Sequence, residues 1–295
     1  MKNLKEIALL MPLLLVGCQG GSFKESKTLA GKVVSAETLN LGQTTYSEYC
    51  IQCHGVNGDG KGVSATGMNP PPRDFTLGVY KFGHVVSGEL PHDEDFYRII
   101  RHGLNGTAML PWDISDKRLD AVTQYIKTFA PAAWEGTDKV PGTKFDLPVD
   151  PFGEAKRAEA IEKGKKVYHV SAACIQCHRG YESKDQISSY SKELTGAPIP
   201  AADFATDLYD LKLQDSEFGY KVVPPDFTWH NLRSITDLES IVKRLMYGVA
   251  GSGMPGWKDV VSDEELWALA YYVDSLRQLR NNPEREALVL KLKNQ

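Results

Sequence analysis

Apolar positions along the chain recur with the period of an amphipathic helix, and they do so twice in matched order. Counted from Ser115, residues at +4, +7, +11 and +14 are Leu119, Val122, Ile126 and Phe129; counted from Ser262, the same offsets give Leu266, Leu269, Val273 and Leu276. That spacing keeps to one helical face, so a helix is predicted after each serine. Both serines read as N-caps, and Ser262 has Glu265 at the position that completes a capping box. A shorter helix precedes each, with Phe96 and Ile100 on its inner face in the first half and Ile241 and Leu245 in the second. These end at Gly103 and Gly248, residues suited to a left-handed C′ position. No alternating stretch is strong enough to add a sheet, so the fold class is all-α.

The repetition extends beyond the helices. The first half reads Gly42, Tyr46, Cys50-Ile51-Gln52-Cys53-His54, Pro71-Pro72-Arg73-Asp74-Phe75-Thr76, Gly103, Met109 and Trp112. The second reads Gly164, Tyr168, Cys174-Ile175-Gln176-Cys177-His178, Pro224-Pro225-Asp226-Phe227-Thr228, Gly248, Met254 and Trp257. The Gly-to-Met and Met-to-Trp intervals are the same in both halves. The second half carries additional residues near 181–220, while the first is longer before its methionine and includes His84 and His92 there. Between the halves, residues 131–155 contain Pro131, Pro141, Pro148 and Pro151 and read as a linker.

The chain begins with Lys2, Lys5 and an apolar run from Ile7 to Val16, too short for a bilayer span but long enough for a signal h-region. Residues 1–17 are therefore expected to be a signal peptide. Leu15-Val16-Gly17-Cys18 resembles the lipobox of bacterial lipoproteins, which implies lipidation at Cys18 and export to the periplasmic face of a membrane; the alternative is a plain signal with an incidental cysteine. Residues 18–34 then read as a tether, and 283–295 as a charged tail with no assigned role. With a net charge of −4 there is no basic excess to hold a phosphate backbone, so no nucleic-acid partner is expected.

The remaining four cysteines carry the chemistry. In Cys-x-x-Cys-His, two thiols on one helical turn add to the vinyl groups of haem, and the histidine places an imidazole under the iron. A redox pair or half a zinc site is the competing reading for a single copy, and the duplication argues against both. Met109 and Met254 are the candidate ligands on the far side of each iron, with Met68 and Met246 as local rivals; a methionine thioether favours Fe(II). His84 or His92 could replace Met109 if the longer loop folds over the haem. Otherwise His84, His92, His102, His169 and His230 read as surface residues. Gly58-Asp59-Gly60-Lys61-Gly62 reads as a turn after the first motif, since it lacks the Lys-Ser/Thr ending of a phosphate loop. Tyr46, Tyr168, Trp112 and Trp257 read equally as haem-edge packing or ordinary core. Arg73 reads equally as a haem-carboxylate partner or a solvated residue, and the second half lacks it.

Gly-x-x-x-Tyr before Cys-Ile-Gln-Cys-His, a methionine loop and a closing helix together resemble the class I cytochrome c family. The resemblance covers about 35–130 and 156–280, and implies two tandem domains at 35–130 and 156–282 joined by the Pro/Gly-rich linker. It implies two covalently bound haem c groups, attached at Cys50, Cys53 and His54 and at Cys174, Cys177 and His178, with Met109 and Met254 as distal ligands. The expected role is electron transfer rather than enzymatic turnover of a small molecule. The partners would be a quinol-oxidising complex or dehydrogenase on one side and a terminal oxidase or reductase on the other. A dihaem cytochrome c peroxidase is the alternative, and a redox or gas sensor a third reading.

Overall fold

The computed structural model describes residues 22–293. The segment expected to be a signal peptide, and Cys18, lie outside the described residues.

After a hairpin of β1 (Lys27–Leu29) and β2 (Lys32–Val34), α1 (Ala36–Tyr49) is capped by Ser35, whose hydroxyl accepts from the Thr38 N–H. It leads into one turn, α2 (Ile51–His54). Then come α3 (Asp93–His102), α4 (Asp116–Lys127) and the single turn α5 (Pro131–Trp134). The second set comprises α6 (Arg157–Lys166), α7 (Lys184–Thr195), α8 (Leu238–Tyr247), α9 (Asp263–Gln278) and α10 (Pro283–Lys293). Among the described residues no helix is long and apolar enough to cross a membrane.

The buried side chains form two clusters, one built on α1, α3 and α4 and the other on α6, α8 and α9. The periodicity of the closing helices is realised: Leu119, Val122 and Ile126 are buried in α4, and Leu266, Leu269, Val273 and Leu276 in α9. Ser262 and Glu265 form the expected capping box, whereas Ser115 makes no side-chain cap bond.

Each cluster turns on a glycine at a helix crossing. A β-carbon at Gly42 would lie 2.1 Å from the Ala121 carbonyl oxygen and 2.7 Å from the Tyr125 β-carbon. At Gly164 it would lie 2.1 Å from the Ala268 carbonyl oxygen and 2.7 Å from the Tyr272 β-carbon. Only a residue without a side chain lets α1 reach α4, and α6 reach α9, at this separation.

Several segments depart from the sequence reading. The short hairpin adds a two-stranded sheet, and residues assigned to a tether bury Leu29, Ala30 and Val34 in the first cluster. The intervening segment divides between the cores. Trp134 is fully buried in the first, and Ala30 N–H donates to its carbonyl at 2.8 Å. Phe152 is buried in the second, Trp267 Nε1 donates to Pro148 O at 3.0 Å, and Tyr271 Oη donates to Asp150 Oδ2 at 2.7 Å. The charged tail forms α10, which buries Leu292. Gly103 and Gly248 do have positive φ, 65° and 72°, but their ψ values of −165° and −160° place them outside the left-handed helical well. That region is open essentially to glycine alone.

Candidate functional site

Both Cys-x-x-Cys-His segments close a single turn. His54 N–H donates to Cys50 O at 2.9 Å, and His178 N–H donates to Cys174 O at 2.8 Å. The approaches differ. Cys50 follows Tyr46 by four positions and Cys174 follows Tyr168 by six. The second unit absorbs the extra length in a π-helical turn, Val167–Ser171, followed by Ala173 at φ 46°. The outcome is conserved between the units: Tyr46 Oη donates to Gly55 O at 2.8 Å and Tyr168 Oη to Arg179 O at 2.9 Å, each the carbonyl one residue after the motif histidine.

The histidines are held alike. His54 Nδ1 lies 3.0 Å from Arg73 O, and His178 Nδ1 lies 3.4 Å from Pro225 O, the residue before the repeated Asp-Phe-Thr in both cases. A carbonyl can only accept, so Nδ1 carries the proton and Nε2 keeps its lone pair for a metal. Phe75 stacks on His54 at 4.5 Å between centroids and 18° between planes, and Phe227 stacks on His178 at 4.9 Å and 20°. Burial lowers the pKa of both imidazoles, that of His178 to about 4, so both are neutral at physiological pH. Burial pushes the Cys50 and Cys174 thiols up to about 12. The two phenylalanines stand in the repeated Asp-Phe-Thr of the sequence, where their repetition was the only sign of a role.

The methionine loops share a backbone frame. Leu104 N–H donates to Met109 O at 2.9 Å and Val249 N–H to Met254 O at 3.0 Å. Trp112 N–H returns to Ile100 O at 3.0 Å and Trp257 N–H to Leu245 O at 2.8 Å. A β-carbon at Gly103 would lie 2.5 Å from Met109 O, and one at Gly248 the same distance from Met254 O. Met109 and Met254 are half-buried, each against its own cluster. Of the rivals, Met246 is locked in the second core and Met68 is half-buried in a loop.

In the second unit Cys174, Cys177, His178, Met254 and Trp257 line one cavity of about 980 Å³. This is at the upper end of the range for small-molecule and cofactor sites. Cys50 and Met109 lie against the same cluster in the first unit, where the buried Tyr80 Oη and Trp134 Nε1 have no hydrogen-bond partner. In the second unit the buried Arg244 Nε is likewise without a partner. Neutral imidazoles with a free Nε2, paired thiols on one turn, a thioether loop and unpartnered buried donors fit a haem bearing anionic carboxylates. Cys50, Cys53 and His54, or Cys174, Cys177 and His178, would hold it through two thioethers and the imidazole Nε2, and the thioether of the methionine in the same unit is available to the iron as well. When bound, the haem would supply a reversible Fe(III)/Fe(II) couple.

The other predicted residues fall out as follows. Only His102 of the five remaining histidines is exposed. His169 is buried, with Nδ1 at 2.8 Å from Lys165 O and Nε2 accepting from Tyr181 N–H at 3.2 Å. His92 Nε2 faces Gly142 O at 2.9 Å, and His84 stacks on Tyr247. His230 Nδ1 accepts from Asp226 N–H at 2.9 Å. Each side chain is tied into local packing. Arg73 places its guanidinium 3.8 Å from the centroid of Phe218, a residue of the second unit's additional segment. The glycine-rich segment wraps the first motif as a turn, with Gly60 N–H donating to His54 O at 2.9 Å.

Asp226 anchors the second unit. Its carboxylate accepts from Arg179 Nη1 at 2.8 Å, Thr228 N–H at 2.9 Å, Thr228 Oγ1 at 2.7 Å and Tyr181 Oη at 3.2 Å, with Arg285 Nη2 at 3.4 Å. Burial alone would raise its pKa, but the Thr228 hydrogen bonds and the Arg179 charge outweigh that and hold it below the usual carboxyl value of 3.8. A carboxyl with a depressed folded pKa stabilises the fold fully above its unfolded value and loses that contribution as pH falls towards the folded value. Asp226→Asn is expected to cost about 3 kcal/mol by leaving Arg179 buried beside an uncharged amide. Denaturant titrations at neutral pH and below pH 3.8 check it; the gap between variant and parent should shrink in acid.

These features define a small helical c-type cytochrome. The sequence model described as "Cytochrome C oxidase, cbb3-type, subunit III" matches residues 37–126 and again 159–273, well over half of the chain. The chain belongs to this family, and covalently bound haem c and electron transfer come with it. A chain from a solved structure titled as a reducing HAO-like protein complex of Kuenenia stuttgartiensis is similar to it. The identity is 31%, the TM-score is 0.63, and the match covers 80% of this chain and 95% of that one. None of the curated proteins matches the sequence.

Proposed function

We propose that the chain is a dihaem c-type cytochrome in which each unit is a cytochrome c domain with a His/Met-ligated haem. It passes electrons between a membrane quinol-oxidising complex or dehydrogenase and a terminal oxidase or reductase. The observation that carries this reading is the duplicated frame: the motif turn, the oriented imidazole and the methionine loop recur with the same hydrogen bonds in both units. An iron closed on both faces exchanges electrons through the haem edge and leaves no coordination site for substrate. The likeness to a chain of a reducing HAO-like complex supports work as an electron-delivering component of a larger oxidoreductase assembly.

A dihaem peroxidase needs one iron with an accessible face. The reduced protein should therefore leave carbon monoxide unbound on mixing, and the half-reduced protein should not consume hydrogen peroxide catalytically. Rapid peroxide turnover would replace the carrier reading with the peroxidase one.

The same proposal places the protein on the periplasmic face, anchored through lipidated Cys18. Cys18→Ser is expected to move it from the membrane fraction to the soluble fraction of the producing cells. Retention of the variant on the membrane would count against the anchor.

A further inference from the structure

The cavity that holds the second motif is not walled by its own unit alone. Lys81 and Phe82 of the first unit line it together with Arg233 and Arg244 of the second. Among the described residues, Lys81, Arg233 and Arg244 make no ion pair with a carboxylate. Arg244 is buried at 8% exposure; its Nη groups donate to Gly248 O at 2.9 Å, Ser234 Oγ at 3.2 Å, and Gly83 O and Phe82 O at 3.4 Å each, and only its Nε is unpartnered. The carboxylate that bears on it, Asp95, is held by Arg98 at 2.8 Å. Lys81 sits over the Phe218 ring at 4.6 Å. Burial, with Arg73 and Arg233 nearby, lowers its pKa to about 8. Lys221, paired with Asp215, and the exposed Arg280, which donates to Asn231, also line the cavity, and no carboxylate does. Cations gathered there repel one another, and a doubly anionic occupant removes that repulsion.

We propose that Lys81 of the first unit, with Arg233 and Arg244 of the second, binds the two carboxylates of the haem attached at Cys174 and Cys177. The proposal rests on the reading that the second motif carries haem. The Arg233 guanidinium suits a carboxylate bidentately, Arg244 offers its remaining Nε–H, and the lysine adds a compact charge from across the interface. The first unit thus completes the second unit's site, which has no counterpart of Arg73 in its own sequence. Positive charges at this position disfavour Fe(III), which carries one more positive charge than Fe(II), so they raise the potential of that haem.

The test is a potentiometric titration of the full haem-loaded chain followed by its optical spectra. Lys81→Met and Arg233→Met are examined singly and together. The Met254→Ala variant assigns the second haem's transition, and exposed Lys156→Met controls for net charge. In the double variant the second potential should fall by about 59 mV or more, a tenfold change in the oxidised-to-reduced ratio, while the first stays in place. Lys156→Met should leave both within a fraction of that shift. Unmoved potentials, or equal movement of both, in a fully loaded variant would overturn the clamp. Mass spectrometry of the peptide containing Cys174 and Cys177 from the parent protein separates the two failures: absence of haem there would sink the underlying reading instead.

Discussion

Gly164→Ala is expected to destabilise the second unit by about 3 kcal/mol, even though alanine is the better helix former. The added methyl would occupy a point 2.1 Å from the Ala268 carbonyl oxygen, and that atom belongs to helix backbone rather than to a side chain that can rotate away. Relief requires α6 and α9 to separate, which loosens the packing of Ala160, Leu269 and Tyr272 between them. The helix-propensity gain of about 1 kcal/mol offsets only part of the cost. Gly42→Ala should act in the same way on the first unit through Ala121. Thermal denaturation of the haem-loaded variants checks this, and at about 4 °C per kcal/mol for a domain of this size the midpoint should fall by roughly 10 °C. A variant as stable as the parent would show that the crossing is looser than described.

The second large effect concerns the thioether loops. Met109→Ala and Met254→Ala should each remove one half of the near-infrared band that a methionine sulfur gives with Fe(III), and the double variant should remove all of it. Each should also lower the potential of one haem, by on the order of 100 mV given the range over which axial ligands set potential. The loops themselves should survive, because their frames are backbone hydrogen bonds from Leu104 and Val249 and the glycine conformations at Gly103 and Gly248. Loss of the band in Met68→Ala or Met246→Ala, with Met109→Ala or Met254→Ala unaffected, would reassign the ligand.

How much of this was legible in the sequence follows from the range of the interactions. The amphipathic faces of α4 and α9, the shorter helices before each methionine and the two attachment motifs are local patterns, and each is where periodicity placed it. The glycine stops were legible as glycines but not in their conformation, because ψ is set by the loop returning to the helix through Trp112 and Trp257. Strands of three residues, Lys27–Leu29 and Lys32–Val34, are too short to show alternation, and Leu29 is buried by contacts far along the chain. The segment 131–155 looked like a linker because its prolines forbid a long helix; its aromatic residues nevertheless dock on whichever core is nearest, Trp134 on the first and Phe152 on the second. His169 is buried rather than on the surface because its partners, Lys165 O and Tyr181 N–H, are set by the π-helical turn, which no local pattern marks. The approach of Lys81 to the second cavity joins residues far apart in sequence, and no local signal marks it.

The account stands on haem carried in both halves of one chain, and the number of haems per polypeptide measures that directly. Pyridine haemochrome absorbance against protein concentration, with the intact mass of the same sample, should give two covalent haems per chain and a low-spin spectrum for both. One haem per chain, none, or a high-spin iron in the oxidised protein would contradict it.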